Sequence, residues 1–287
     1  TDEDYVRIAI EATRDLPWLA AARQRLRPHM AASVIGDAQR YTREVEAAYR
    51  TVWRRWCGRT SDDPQTLHRQ ALHALKTGND TEAAALIEKA TRIDPLKPEF
   101  LVDLGVIYRR LGRTSDAANC YRSALALKPD FAEAYNNLGN VIRESPGQLK
   151  EAEECFRHAL LLKHDYVDAH RNLGDTLVKM GQSAEAMHCY RQALALNPRL
   201  ADVQNNLGNL LVNAGQLDEA EQCLRRALDL NPHFAEANSN LGSVLTSLAK
   251  PDQAEQFLRR AITLKPDFLE AHNNLGVALM GLGRLEE

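Results

Sequence analysis

Side-chain amides recur in this chain at a nearly fixed interval. Asn137, Asn172, Asn206, Asn240 and Asn274 each stand directly before a Leu-Gly pair, at spacings of 35, 34, 34 and 34 residues. Asp103 takes that place one interval earlier, Asn136, Asn205 and Asn273 stand one residue before it, and Asn140 and Asn209 directly follow the glycine. Asparagine is a mediocre helix former because its amide competes locally with the backbone, so clusters such as "AYNNLGNVI" call for a reason. An amide offers one acceptor and two donors, the complement of a peptide unit. If the ladder lies on helices stacked roughly 10 Å apart, one step matches about three residues of an extended peptide rising about 3.3 Å each. The eleven residues are therefore expected to hold a peptide backbone whatever its sequence. The other use of such amides is to solvate the face or to bond between adjacent helices. On the peptide-binding reading the face is solvated, and replacing its amides by Ala leaves stability unchanged or slightly raised.

The remaining reactive residues form no site. Cys120, Cys155, Cys189 and Cys223 recur at 35, 34 and 34 residues. Neighbouring helices at roughly 8–10 Å hold such cysteines beyond the ~7 Å limit for an unstrained disulfide. No Cys-x-x-Cys or His-x₃-His pair exists for zinc, so no metal is expected and the thiols are packing residues of a reducing, cytoplasmic compartment. His170 and His272 occupy the repeat place held elsewhere by Tyr135. No metalloprotease, nucleophile-elbow or phosphate-loop motif is present, and no catalytic residue is assigned. Arg122, Arg157, Arg191, Arg225 and Arg259 form a second ladder, read as a solvated face with weak ion pairs.

The elements that carry these ladders follow from the Leu-Gly pairs at 104–105, 138–139, 173–174, 207–208, 241–242 and 275–276. The one longer interval holds an extra residue in the turn "RESPGQLKE". In "LVDLGVIYRRLGRTSDAANCYRSALALKP" the order is Leu104-Gly105, Tyr108, Gly112, Ala117, Tyr121, Ala124, Pro129. Gly105 lets two helices approach, Gly112 ends the first, the alanines admit the second, and Pro129 stops it. Equivalent prolines are Pro95, Pro198, Pro232 and Pro266, with His164 once in that place. This period and order resemble the tetratricopeptide repeat. The resemblance implies an all-α, right-handed superhelical solenoid of helix–turn–helix units over 64–287. The units are 64–97, 98–131, 132–166, 167–200, 201–234, 235–268 and a partial 269–287, whose missing second helix suggests a fragment of a longer protein. The first helices of such repeats line an inner, concave surface.

Residues 1–58 do not follow the repeat and read as a short helical segment, with 59–63 a linker. The third helix, beginning after Asp37, carries Tyr41, Trp53 and Trp56 on one side and is expected to cap the first repeat near Leu67, Leu72 and Leu75. Residues 3–57, from "EDYVRIAIEATRDLPWLAAARQ" to "YRTVWRRWC", are similar to the C-terminal end of the O-linked N-acetylglucosamine transferase catalytic domain. The matching landmarks are Asp15-Leu16, Ala32-Ser33, Gln39-Arg40-Tyr41 and Trp53. In that family the catalytic His and the nucleotide-binding residues lie upstream of this tail, so none is carried over. The order here, repeats after the tail, departs from the family's. The resemblance implies a repeat arm that binds extended segments of protein acceptors. It also implies a UDP-N-acetylglucosamine donor, but only for a catalytic domain outside this chain, and no cofactor for the chain itself. The alternative is a non-enzymatic scaffold for protein partners.

Composition agrees with a protein-binding helical chain. Of 287 residues, 44% are hydrophobic, 26% charged and 6% aromatic, with a net charge of −3. That charge and the absence of a Lys/Arg block argue against nucleic acid. No apolar run has the length of a bilayer span.

Overall fold

The computed structural model describes residues 45–46, 49–50 and 63–284. The four described residues before position 63 are helical, and Arg50 pairs with Glu46 at 3.5 Å. Trp53, Trp56, the expected N-terminal cap and most of the tail-like segment lie outside the described residues.

From residue 64 onward the chain is a succession of helices joined by short turns. The first of its two compact units, 1–129, contains α1 (Pro64–Lys76), α2 (Asp80–Ile93), α3 (Pro98–Arg110) and α4 (Thr114–Leu127). The second, 130–287, contains α5 (Ala132–Ile142), α6 (Leu149–Leu162), α7 (Val167–Lys179), α8 (Ser183–Leu196), α9 (Ala201–Asn213), α10 (Leu217–Leu230), α11 (Ala235–Ser247), α12 (Pro251–Leu264) and α13 (Leu269–Gly281). The described residues contain no strand. Helices pack most extensively in sequential pairs, α1 on α2, α3 on α4, then α5/α6 through α11/α12. Each second helix in the second unit also packs on the first helix that follows it. The result is the all-α repeat solenoid that the 34-residue period predicts.

Local chemistry sets the elements. Asp63 caps α1, its Oδ2 accepting from the Thr66 amide at 2.9 Å, with Pro64 at the first helical position. These hydrogen bonds from Thr66 hold the Asp63 carboxyl below its usual range. The second helices end on extended residues, Lys128, Asn197 and Asn231, each preceding a proline that disfavours helix. Lys163 adopts the same conformation before His164. Packing of the repeat therefore sets this end, and proline reinforces it. The turn within each pair is held by a residue of positive φ, such as Gly215 at 75°, and Ala249 takes the corresponding place at 56°.

The Leu-Gly pair fixes how closely paired helices approach. A Cβ on Gly174 would stand 2.5 Å from the Tyr190 ring, which is 1% exposed and has nowhere to move. Gly174→Ala is expected to cost about 1–3 kcal/mol through overpacking. Urea unfolding of this variant beside the native protein tests this, and an unchanged stability would contradict the close approach.

Candidate functional site: the amide face of the first helices

Within the second unit, α5 packs on α7, and α11 packs on both α9 and α13, so successive first helices share a face. The amides on that face divide into two groups. One group is engaged within the protein. Asn172 Nδ2 donates to Asn136 Oδ1 at 2.9 Å, Asn240 Nδ2 to Asn205 Oδ1 at 2.9 Å, and Asn274 Nδ2 to Ser239 Oγ at 3.5 Å. In each case the residue before the Leu-Gly pair reaches the residue two before the pair in the preceding repeat. His68 and Asp103 make the same step in the first unit, 2.5 Å apart. The ladder is thus a clasp between repeats.

Burial shows how far the clasp departs from a solvated row. Asn136, Asn172 and Asn205 are only 4%, 5% and 7% exposed. The expectation that every groove amide is solvated is corrected here, and Ala replacement of the clasped amides is expected to lower stability rather than leave it unchanged. The cause is register: residues one apart on a helix differ in direction by about 100°, so Asn136 and Asn137 cannot share one environment. Tyr166 also bonds to Asn136, and burial pushes that phenol up to about 12.

The 167–200 repeat breaks the pattern. Arg171 stands at the acceptor place, and a guanidinium accepts nothing. Asn206 Nδ2 instead approaches Asp175 Oδ1 at 3.5 Å, and its Oδ1 faces Asn205 Nδ2 at 3.4 Å. Asp175 also accepts from Tyr190 OH at 2.7 Å and from Arg143 Nη1 at 3.5 Å. Burial first, and then the Asp175 charge, push the Tyr190 phenol far above its ordinary value. Arg171 pairs with Asp168 at 3.3 Å and Asp202 at 3.4 Å. The sequence reading missed Asp175, Arg143, His68 and Ser239 as members of this face. Their signal is positional, since each of His68, Ser239 and Asp175 occupies a place held by Asn in another repeat.

The second group of amides is unengaged. Asn137 and Asn140 are half-buried, Asn209 is exposed, and none of the three makes a side-chain hydrogen bond among the described residues. Asn273 stands at the acceptor place of the clasp in the last described repeat and is grouped with the clasped amides. The three retain donors and acceptors for a ligand.

The other ladders are structural. Arg157 bridges Glu153 at 2.8 Å and Glu185 at 2.7 Å, and Arg191 reaches Glu219 at 3.0 Å, joining successive second helices. Glu221 pairs with Lys250 at 2.9 Å and Arg225 at 2.8 Å. The four described cysteines are free, and burial raises the Cys120 and Cys189 thiols to about 11, which disfavours the reactive thiolate. Among the described residues no group of three or more His, Cys, Asp or Glu could hold a metal, and no helix is long and apolar enough to cross a membrane.

Two predictions follow from these contacts. Asn172→Ala leaves the buried Asn136 oxygen without its donor and is expected to cost about 1–3 kcal/mol. Removing Asn136 as well relieves that penalty, so the double variant is expected to lose less than the sum of the singles. Denaturant unfolding of the cycle measures this, and additivity would contradict the clasp. The hydrogen bond from Lys250, more than that from Arg225, lowers the Glu221 carboxyl. A lowered value in the folded state gives stability that is present above the unfolded value and lost as pH falls through the folded one. The melting temperature gap between the protein and Glu221→Gln is therefore expected to close on acidification, and a constant gap would contradict it.

With this geometry in view, comparisons place the repeats among known proteins. Residues 105–142 match the family described as TPR repeat, and 130–199 match Tetratricopeptide repeat. Residues 171–283 match the Cilia and flagella-associated protein 70 middle TPR-like domain. A probable UDP-N-acetylglucosamine–peptide N-acetylglucosaminyltransferase SPINDLY from Hordeum vulgare is 34% identical over 86 residues, 30% of this chain and 9% of that protein. Tetratricopeptide repeat protein 6 from Homo sapiens is 28% identical over 104 residues, 35% of this chain and 20% of that one. The alignments thus span about a tenth of the SPINDLY relatives' length. YrrB, described as a TPR protein with an unusual peptide-binding site, is 27% identical, with a TM-score of 0.57 over 65% of this chain and 96% of its own. PilF of Pseudomonas aeruginosa shares the fold at 23% identity and a TM-score of 0.68, over 73% of this chain and 95% of its own. The chain thus carries tetratricopeptide repeats, and those repeats resemble the ones of the probable UDP-N-acetylglucosamine–peptide N-acetylglucosaminyltransferases SPINDLY.

Proposed function

We propose that this chain is the protein-recognition arm of a protein O-linked N-acetylglucosamine transferase-like enzyme. It binds extended acceptor segments along the first-helix face and presents them to a catalytic domain. On this reading the donor, UDP-N-acetylglucosamine, belongs to that domain, and neither a cofactor nor a catalytic residue is assigned to this chain. Its setting on this reading is cytoplasmic. The observation that carries the proposal is the set of three unengaged amides, Asn137, Asn140 and Asn209, on a face whose other amides are placed for the clasp. The likeness to SPINDLY supports the enzyme class, and the unusual peptide-binding site described for YrrB supports the ligand class. The clasped amides hold the spacing of the free ones.

A second reading, a non-enzymatic scaffold for protein partners, is favoured by the likeness to Tetratricopeptide repeat protein 6 and to the Cilia and flagella-associated protein 70 domain. Repeats of this fold generally mediate contacts between proteins, so both readings share the ligand class.

Replacing Asn137, Asn140 and Asn209 together by Ala tests the binding face. Neutral hydrogen bonds net about 0.5–1.5 kcal/mol each and need not add, so affinity for an extended peptide is expected to fall about 10–10³-fold. The loss is expected to be similar for two acceptor peptides of unrelated sequence, measured by fluorescence anisotropy, with the melting temperature preserved. Unchanged binding by the well-folded variant would exclude this face.

A further inference from the structure

A different part of the second unit carries an unassigned binding site. A crevice of about 750 Å³ opens on the second-helix side, between α8 and α10, and reaches α9 and the turn after α8. Its size is that of an ordinary ligand pocket. Leu194, Pro198 and Leu207 give it apolar walls, and Gln204, Arg199 and Arg226 supply polar groups.

Gln204 is the anomaly. The equivalent side chain in the other repeats of the second unit makes at least one contact of its own. The Tyr135 ring stacks on His158 at 5.2 Å, His170 reaches the His164 carbonyl at 2.9 Å, and His272 reaches the Pro266 carbonyl at 2.9 Å. Asn238, whose Oδ1 is also unpaired, donates its Nδ2 to the Phe234 carbonyl at 2.9 Å, whereas the Gln204 side chain makes no hydrogen bond among the described residues. Gln204 is 4% exposed, lines the crevice, and its Oε1 has no hydrogen-bond partner. Such a buried, unpaired acceptor is costly to leave unmade.

Charge narrows the occupant. The lining holds Arg191, Arg199 and Arg226 against Glu219 and Asp229. Arg191 and Glu219 pair with each other at 3.0 Å, while Arg199 and Arg226 make no ion pair among the described residues. A basic spot on a chain of net charge −3 favours an anionic partner. We infer that this crevice binds an acidic peptide segment. One large apolar side chain enters between α8 and α10, where a repeat with tyrosine at the Gln204 place would supply its own ring. An N–H of the peptide donates to Gln204 Oε1, and flanking carboxylates meet Arg199 and Arg226.

The test uses the full chain and a fluorescein-labelled nonapeptide with central Phe flanked by Glu, beside a counterpart flanked by Lys. Gln204→Tyr, which fills the crevice, and the pair Arg199→Ala with Arg226→Ala are each expected to weaken the Glu-flanked peptide about tenfold or more. All these measurements are made in the Asn137→Ala, Asn140→Ala, Asn209→Ala background, which removes the sequence-blind first-helix face, and there the Lys-flanked peptide is expected to bind at least tenfold more weakly than the Glu-flanked one. That background separates failure here from failure of the first-helix face. If Gln204→Tyr does not fold, the arginine pair decides. No binding of the Glu-flanked peptide at ~1 mM, equal binding of the Lys-flanked one, or full binding by the arginine variant would overturn the inference. Equal-strength competition by N-acetylphenylalaninamide would assign the crevice to a small molecule and overturn the peptide occupant.

Discussion

The buried amide clasp between successive first helices is the constraint on which the arrangement of the candidate binding face depends. A solenoid has no long-range contacts to fix its geometry, so each repeat is oriented by its neighbours alone. Apolar packing between helices is broad in angle and tolerant of sliding. A hydrogen bond between two side chains that are each about 95% buried, as between Asn172 and Asn136, is intolerant of both. Displacing either helix would leave a polar group without water and without a partner. The clasp therefore sets register where hydrophobic packing sets only proximity.

The same residue type then does two things on one helix. Asn136 points into the clasp while Asn137 retains an unengaged amide, because adjacent helical positions diverge by about 100°. Where the clasp chemistry is unavailable, at Arg171, the chain substitutes a charged arrangement in which Asp175 gathers Tyr190, Arg143 and Asn206. The site is thus not a uniform ladder. Neutral amides on α5, α9 and α13 flank a charged segment on α7, and a ligand crossing the face would meet both.

Much of this was legible in the sequence, for physical reasons. The period, the paired helices and the close-approach glycines are read directly, because each repeat solves the same packing problem with the same small and large residues. The amide ladder is visible for the same reason. The division of labour within it was not legible, since one-dimensional spacing locates a residue on a helix but not the partner across the step. His68 and Asp103 were invisible as a clasp because two different residue types fill places that other repeats give to two amides. Gln204 was passed over because its significance is an absence of partners, which no sequence displays. The Trp-bearing segment and its resemblance to a transferase tail lie outside the described residues, so the fold offers no account of them.

The account rests on the amides being of two kinds, clasped and free, and side-chain amide exchange by NMR measures that directly. The Nδ2 protons of Asn172 and Asn240 are expected to be protected from solvent exchange, and those of Asn209 to exchange rapidly. On adding an extended acceptor peptide, the signals of Asn209 and Asn137 are expected to shift while the Asn172 signal stays in place. Rapid exchange at Asn172, or peptide-induced shifts at the clasped amides alone, would contradict the division on which the binding face is built.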